Sequence, residues 1–401
     1  MSEDATGPLV GLRVIDLTQM LAGPYCTMLL ADLGADIVKV EPPRGDMTRY
    51  SGPFLEEDEE RAYGGYFGSI NRNKRSIVLD LKTEYGKEAL RALVKGAAVL
   101  VENYRSGVME RLGLSWESLD EINPRLVYAA IRGFGDPRTG ESPYVLWPAF
   151  DVVAQAMGGM MGITGTEDGT PLKAGPGVGD IYPAALAALG IVAAVRNAEQ
   201  TGRGQFMDVG MVDAVLSMCE RIVYQYSYRG VIGRPEGNAH PTLCPFENFR
   251  TSDGWVTIAA PSDGHWKELA EIMGRPELAD DERFRSNRER VRNAAETRSI
   301  VREWTSARTT AEALEALGAR VPAGAVQTVA EIFEDPHARS RDMLVEVEHA
   351  GCQTPVVYAG VPIKFTGTPG GIYRRPPRLG EHTEEILAEI GWDPPSQGGS
   401  E

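Results

Sequence analysis

The chain has 401 residues, 42% of them hydrophobic, and a formal net charge of −16. This length predicts more than one domain. So negative a chain argues against nucleic acid or an anionic membrane as a partner, because both attract positively charged faces. Anionic small molecules remain possible ligands, since they need only a local basic pocket.

Cysteine spacing and hydropathy predict the cellular compartment of the protein. The four cysteines lie far apart without C-x-x-C spacing, which indicates reduced thiols. The N-terminal residues MSEDATGPLVG lack the basic and apolar regions of a signal peptide. The longest apolar run, AALAALGIVAAV, has 12 residues and is too short to span a bilayer. We therefore expect a cytoplasmic protein with no membrane partner.

The first half of the chain alternates strand and helix patterns. Strands are predicted in GLRVIDLTQ, DIVKVEPP, SIVLDLK, AVLVENY and RLVYAAIRGFG, and helices in GPYCTMLLADLGA and TEYGKEALRALVKGA. This alternation predicts an α/β fold, with a large Rossmann-like domain built on a parallel sheet. Ligands are expected at the carboxyl ends of its strands.

The pattern changes after about residue 228. HPTLCPFENF and WVTIAAP predict a hairpin, and the charged segment 277–306 predicts solvated helices. MLVEVEHAGCQTPVVYAGVPIKF then returns to strand character. We predict that residues 1–225 begin the large domain, that 226–325 form a smaller α+β domain, and that 326–401 return to the large one.

A glycine-rich turn leads into a long apolar helix in KAGPGVGDIYPAALAALG, residues 173–190. Such turns usually bind phosphate through backbone N–H groups. Here Asp180 stands where the dinucleotide fingerprint needs its third glycine, and its charge would repel a phosphate. On the local sequence Asp180 is either a helix N-cap or a nucleophile toward an acyl thioester, with nearby N–H groups holding the oxyanion. The helix that follows is expected to be buried on most sides.

Other catalytic patterns are missing from the sequence. It contains no G-x-S-x-G, H-E-x-x-H or P-loop motif. The spacing of His240 and Cys244 is interpreted as structural, so no metal site is predicted. Basic residues near the predicted strand ends are interpreted either as phosphate ligands or as ordinary surface charge. They are Lys39, Arg44, Arg49, Arg72, Lys74, Arg75, Lys82, Arg105 and Arg111.

Several long motifs occur together in LAGPYCTMLLADLGADIVKVEP, NRNKRSI, VENYRSG, PAFDVVAQAMGG and GVGD. In this order they resemble the class III CoA-transferases (the CaiB/BaiF type) from Gly11 to about Ile390. The resemblance implies that Asp180 is the nucleophile and that a CoA thioester is a substrate, with no permanently bound cofactor. It also implies a homodimer of interlocked, ring-like subunits. The implied CoA contacts are Leu21, Ala22, Leu79, Lys82, Asn103 and Arg111, and the implied substrate pocket contains Phe150, Asp151 and His240.

Departures from the family pattern bear on the substrate. Pro42 replaces an arginine of some members, which moves the expected diphosphate contact to Arg44. GNAHPTLCPF lacks the glycine run of oxalate-specific members. RGFGDPRTGE and SMCERIVYQYS are similar to relatives that use succinyl-CoA as donor and a small dicarboxylate such as mesaconate as acceptor.

The sequence argues against three alternative functions. An α-methylacyl-CoA racemase of this fold would carry a histidine directly before Asp151, where this chain has Phe150. A nucleotide-dependent oxidoreductase would need the dinucleotide fingerprint. The presence of Asp180 argues against a non-catalytic CoA-binding homologue.

Overall fold

The structure is a computed structural model that describes residues 6–392. Within this range the chain forms two compact units. The first comprises the chain up to Met160, Ala174–Tyr228, and the chain from Pro336 onward. The second comprises Met161–Lys173 and Arg229–Asp335. Residues 161–173 and 326–335 thus belong to the second unit, although the sequence predicted that both segments belong to the large domain.

The strands, in chain order, are β1 (Arg13–Asp16), β2 (Asp36–Glu41), β3 (Lys74–Val78), β4 (Val99–Glu102), β5 (Val127–Arg132), β6 (Gln205–Gly210), β7 (Phe246–Arg250), β8 (Trp255–Ala259), β9 (Ala323–Ala325), β10 (Leu344–Val347) and β11 (Val356–Ala359).

The helices, in chain order, are α1 (Ala22–Asp32), α2 (Gly65–Ile70), α3 (Glu84–Lys95), α4 (Val108–Leu112), α5 (Trp116–Asp120), α6 (Asp151–Met157), α7 (Val178–Thr201), α8 (Met211–Met218), α9 (Glu220–Arg229), α10 (Asp263–Ile272), α11 (Asn287–Arg292), α12 (Ala294–Ser306), α13 (Thr310–Leu317), α14 (Val329–Glu334), α15 (Pro336–Ser340) and α16 (Thr383–Glu389). Short 3₁₀ turns lie at Met47–Tyr50 and Pro276–Ala279.

The first unit is built on a six-stranded sheet of order β3-β2-β1-β4-β5-β6. Every neighbouring pair is parallel. This is the strand order of Rossmann-type sheets, whose central switch point lies between β1 and β4. The predicted α/β fold with a parallel sheet is confirmed. An antiparallel hairpin of β10 and β11 also belongs to this unit.

Helices pack against the sheet because the strands are apolar and buried on both faces. One cluster joins Ile15, Leu100 and Tyr128 of the sheet to Leu90 of α3 and Ile386 of α16. The helices α1 and α7 pack against each other, and each contacts the sheet. The segment that follows Asp180 is therefore part of the domain core.

Helix α7 is less buried than the sequence predicted, which was burial on most sides. Its small residues, such as Ala184, Ala187 and Ala194, are buried, whereas Leu189 is 67% exposed. It has 24 residues and is long and apolar enough to cross a membrane by length and composition. A core helix passes the same test, and the packing of α7 on α1 and the sheet makes it one.

The second unit has a three-stranded antiparallel sheet of order β7-β8-β9. The predicted hairpin is its β7–β8 pair. Trp266, Phe284 and Trp304 pack with strand residues in a separate apolar core. Thr309 and Glu312 form a capping box that begins α13.

Candidate active site

A cavity of about 410 Å³ opens in the first unit, beside the carboxyl ends of β1 and β4. The loops after these strands meet there, because Asn103 pairs with the backbone of Gln19. The Asn103 side chain donates from Nδ2 to the Gln19 carbonyl at 2.7 Å and accepts from the Gln19 N–H at 2.9 Å. The cavity thus lies at the switch point, where open α/β sheets bind their ligands.

The loop after β1 is held in a specific shape. Met20 has a left-handed φ of 69°, an unfavourable conformation for a residue with a side chain. A Cβ on Gly23 would lie 2.3 Å from the Thr18 Cβ, so only glycine permits this approach. Beneath the loop, buried Lys39 donates from Nζ to the Thr18 carbonyl at 2.8 Å and to Asp46 at 3.1 Å.

Asp180 lines the cavity from the first turn of α7. The N-cap of this helix is Gly177, so the interpretation of Asp180 as an N-cap is wrong. Burial and the nearby charge of Asp151 raise the pKa of Asp180 to about 7. No residue in the range 6–392 donates a hydrogen bond to this carboxylate. Asp180 therefore carries an exchangeable proton near neutral pH.

Asp151, the first residue of α6, holds the turn that carries Asp180. Its Oδ1 accepts the Gly179 N–H at 2.7 Å, and both its oxygens lie 2.9 Å from the Gln155 Nε2. The buried Gln155 accepts in turn from the Ala174 N–H at 2.8 Å. A Cβ on Gly179 would lie 2.6 Å from the Asp151 carbonyl oxygen. Gly179 is thus required for this close approach.

The expected oxyanion donors beside Asp180 are already engaged. The Val178 N–H donates to the Pro176 carbonyl, and the Asp180 and Ile181 N–H groups both donate to the Gly177 carbonyl. The Gly179 N–H donates to Asp151. In this conformation the N–H groups of residues 178–181 are therefore occupied, and the expectation that nearby N–H groups hold an oxyanion stays a prediction.

The structure brings six of the predicted site residues to one cavity. They are Leu21, Ala22, Asn103, Phe150, Asp151 and Asp180. Leu21 also approaches the turn that carries Asp180, because its Cδ2 would lie 3.0 Å from a Cβ on Gly177.

Four predicted site residues lie elsewhere. Leu79 is buried in the core directly after β3, and Lys82 is exposed in the turn that follows. Arg111 is exposed in the last turn of α4. His240 belongs to the second unit, where its ring packs edge-on against Phe246. The roles of these four residues stay predictions.

Most of the basic residues near the strand ends are neither phosphate ligands nor surface charges. Five are buried in ion pairs: Lys39 with Asp46, Arg49 with Glu41, Arg72 with Asp32, Lys74 with Asp16, and Arg75 with Asp36. Buried charges require partners because they lose hydration. Arg44, Lys82, Arg105 and Arg111 are exposed, and Arg105 lines the cavity.

Sequence reasoning missed several residues of the site. Gln19, Met20 and Tyr66 line the cavity, and Gln155 orients Asp151 from one helical turn away. The i, i+4 spacing of Asp151 and Gln155 was a usable signal for their contact. Tyr66 gave none. Burial and the charge of Asp180 raise the pKa of its phenol.

The sequence model of a known family, CoA-transferase family III, matches residues 9–383. The chain belongs to this family. It is 51% identical to the succinyl-CoA:mesaconate CoA-transferase of Haloarcula marismortui, covering 96% of this chain and 97% of that protein. Identity to the succinate–glutarate CoA-transferase of Agrobacterium fabrum is 39%, with 96% of each chain covered.

A solved structure of a CaiB/BaiF family protein from Brucella suis matches with a TM-score of 0.85 and 37% identity. The match covers 96% of this chain and all of that one. The family III resemblance of the motifs is thus confirmed. The chain is a CoA-transferase, and CoA thioesters are substrates of its family.

Proposed function

We propose that this transferase moves CoA from succinyl-CoA to a small dicarboxylate such as mesaconate, with Asp180 as the nucleophile. The observation that carries the proposal is a carboxylate with a pKa of about 7 inside a cavity at the switch point. Similarity to the succinyl-CoA:mesaconate enzyme supports the donor and the acceptor.

The reaction proceeds in four balanced steps. The Asp180 carboxylate attacks the succinyl thioester carbonyl, and the C–S bond breaks to give a mixed anhydride and CoA thiolate. The thiolate attacks the aspartyl carbonyl, which releases succinate and leaves CoA bound to Asp180 as a thioester. The acceptor carboxylate displaces CoA thiolate and forms a second anhydride. The thiolate then attacks the acceptor acyl carbon, which yields the new CoA ester and restores Asp180.

The layout of the sheet supports an extended CoA site along one edge. Leu21 and Ala22 follow β1, Asn103 follows β4 and Leu79 follows β3. In a parallel sheet the carboxyl ends of these strands lie on the same edge. We propose that CoA crosses this edge, with the reactive thioester beside Asp180 and the exposed Lys82 and Arg111 near its phosphates.

Phe150 supports transfer over racemisation. It lines the cavity, is 61% exposed and directly precedes Asp151. A phenyl ring holds no exchangeable proton, so it cannot supply the acid or base that inversion at an α-carbon needs. Arg105 at the rim adds a positive charge suited to an anionic acid.

We also propose the interlocked homodimer and a cytoplasmic location. Exposed apolar side chains on α7, α8 and α9 support an oligomer, since such residues usually mark interfaces when they are contiguous. They include Leu189, Leu216, Val223, Tyr226 and Tyr228. All four cysteines are free thiols, in keeping with a reducing compartment. Light scattering after size exclusion measures the dimer mass.

The decisive experiment follows new CoA esters by mass spectrometry. Enzyme is mixed with succinyl-CoA and, one at a time, mesaconate, itaconate, citramalate, malate, glutarate and oxalate. Asp180→Asn is compared with Asp213→Asn, because Asp213 likewise lies in the first turn of a helix, α8, but outside this cavity. We expect the Asp213 variant to form a new dicarboxylyl-CoA and the Asp180 variant to form none. Equal turnover by both variants would exclude Asp180 as the nucleophile.

A further inference from the structure

A second group of reactive side chains lies outside the cavity. Asp58, His349 and Cys352 offer ligand atoms that all lie within 4.8 Å of one another. Asp58 precedes α2, whereas His349 and Cys352 occupy the turn after β10. Both segments belong to the first unit.

Two of these residues are buried and lack full hydrogen bonding. Asp58 and His349 are each 6% exposed. The Asp58 Oδ2 and the His349 Nδ1 have no hydrogen-bond partner among residues 6–392. A native protein rarely leaves buried polar atoms unsatisfied, because each one costs its hydration without recovery. The Asp58 Oδ2 faces the His349 Nε2 at 3.8 Å, which is too far for a hydrogen bond. Both buried atoms therefore lack a hydrogen-bond partner, and a bound cation would satisfy them.

The surroundings already orient the imidazole. The His349 Nε2 lies 3.2 Å from the Tyr63 carbonyl oxygen, and the rings of Tyr63 and His349 pack with centroids 4.4 Å apart. With its proton on Nε2, the ring donates to this carbonyl and keeps a lone pair on Nδ1. Metal-binding histidines commonly donate their second ring N–H in this way.

Charges of both signs lie near the cluster. The Asp58 carboxylate is within 4.8 Å of the Cys352 sulfur and a His349 ring nitrogen, whereas the Arg378 guanidinium, which lies beside Gly351, pairs with Glu60 at 2.6 Å. The Glu57 Oε1 accepts the Thr354 N–H at 2.7 Å, which brings a second carboxylate to the same turn. A divalent cation here would offset the charges of the Asp58 and Glu57 carboxylates.

We propose that Asp58, His349 and Cys352 bind a zinc ion. Zinc accepts carboxylate, imidazole and thiolate ligands together, and its fourth position is open to water or to Glu57. No metal-ligand spacing is visible in the sequence because Asp58 lies far along the chain from His349 and Cys352. A bound ion would tie the turn after β10 to the segment that leads into α2, whose Tyr66 lines the active cavity. The site would thus brace one wall of that cavity.

The test uses the full chain without an affinity tag, stripped with a chelator and kept reduced. Zinc affinity is measured by competition with a chromogenic chelator, and Co²⁺ reports a bound thiolate through its charge-transfer absorption. Cys352→Ser and His349→Gln are compared with Cys219→Ser and His265→Gln, which change the same residue types outside the cluster. Circular dichroism confirms that each variant is folded.

We expect the wild type and both controls to bind one zinc ion per chain and to show the cobalt band. Cys352→Ser should lose the band and at least about tenfold in zinc affinity. Because Cys352 is only partly buried, this variant serves even where His349→Gln fails to fold. The proposal is wrong if the wild type binds no zinc, or if Cys352→Ser retains the band and the affinity.

Discussion

The carboxylates of Asp151 and Asp180 both lie at the start of α7, but they differ in their hydrogen bonding. Asp151 accepts hydrogen bonds from the Gly179 N–H and the Gln155 amide. Asp180 accepts none from residues 6–392, and its burial together with the charge of Asp151 raises its pKa to about 7. One carboxylate therefore fixes the geometry, while the other stays available for reaction.

The raised pKa predicts the pH dependence of catalysis. As the proposed nucleophile, Asp180 would attack a thioester only in its ionised form, so kcat/KM for succinyl-CoA should rise about tenfold per pH unit below pH 7 and level off above it. Asp151→Asn removes the neighbouring charge and should move this acid limb to lower pH. Rates measured from pH 5 to pH 9 test both statements. An acid limb that stays in place in Asp151→Asn would show that the charge of Asp151 does not contribute to the raised pKa of Asp180.

The same pKa predicts a cost in stability. The pKa of Asp180 is 3.8 in the unfolded chain and about 7 in the folded protein. Between these two pH values the carboxyl group is protonated only in the folded state, so ionisation destabilises the fold as pH rises. Asp180→Asn has no such charge. We expect its free energy of unfolding to exceed that of the wild type by a margin that grows by roughly 2 kcal/mol from pH 5 to pH 8. Urea unfolding at both pH values measures it, and a constant difference would contradict the prediction.

Gly179→Ala should damage activity more than stability. Its Cβ would lie 2.6 Å from the Asp151 carbonyl oxygen, so the turn that carries Asp180 must move. A small displacement of a reacting group lowers the rate by about 10–100-fold. Gly190→Ala in the same helix is the control, since its Cβ would meet only the flexible end of Met207, at 2.7 Å. Equal kcat values for the two variants would show that the turn tolerates the methyl group.

The buried arginine Arg49 should matter for folding. Its guanidinium pairs with Glu41 at 2.6 Å and lies 3.8 Å from the centre of the Phe67 ring. Arg49→Met leaves Glu41 buried without its partner and should lower the free energy of unfolding by about 3–5 kcal/mol. The exposed Arg44→Met should change it by less than about 0.5 kcal/mol. If Arg49 were instead a phosphate ligand, its replacement would raise KM for succinyl-CoA with little loss of stability.

The parallel sheet could be predicted largely from sequence, because the first five strands are almost wholly buried and each contains at least two β-branched residues. The sixth, QFMDVG, was missed. It has one β-branched residue, and most of it is only partly buried, so it carries neither a strong apolar run nor a clear alternation. Its parallel register with β5 places it in the sheet.

Site residues could be predicted from sequence where they lie in a recognisable motif. They could not be predicted where their contacts are made with residues that are distant along the chain. Asp180 and Asp151 lie in recognisable motifs, and both line the cavity. The neighbouring sequence does not predict that Lys39 and Arg75 are buried, because their positions depend on partners from other elements. Arg75, for example, pairs with Asp36 and also with Glu389, more than 300 positions away. A charged residue beside a strand looks the same in sequence whether it is solvated or paired.

The Arg75 guanidinium also constrains the order of events during synthesis. It is 2% exposed and needs carboxylates from β2 and from α16, near the end of the described chain. A ribosome completes the strands β1 to β5 long before it reaches residue 389. Until α16 emerges, Arg75 at the edge of the nascent sheet lacks two of its three carboxylate partners, Glu385 and Glu389. Closure of the first unit must therefore follow translation of nearly the whole chain, and the second unit, whose residues are complete by 335, is free to fold earlier.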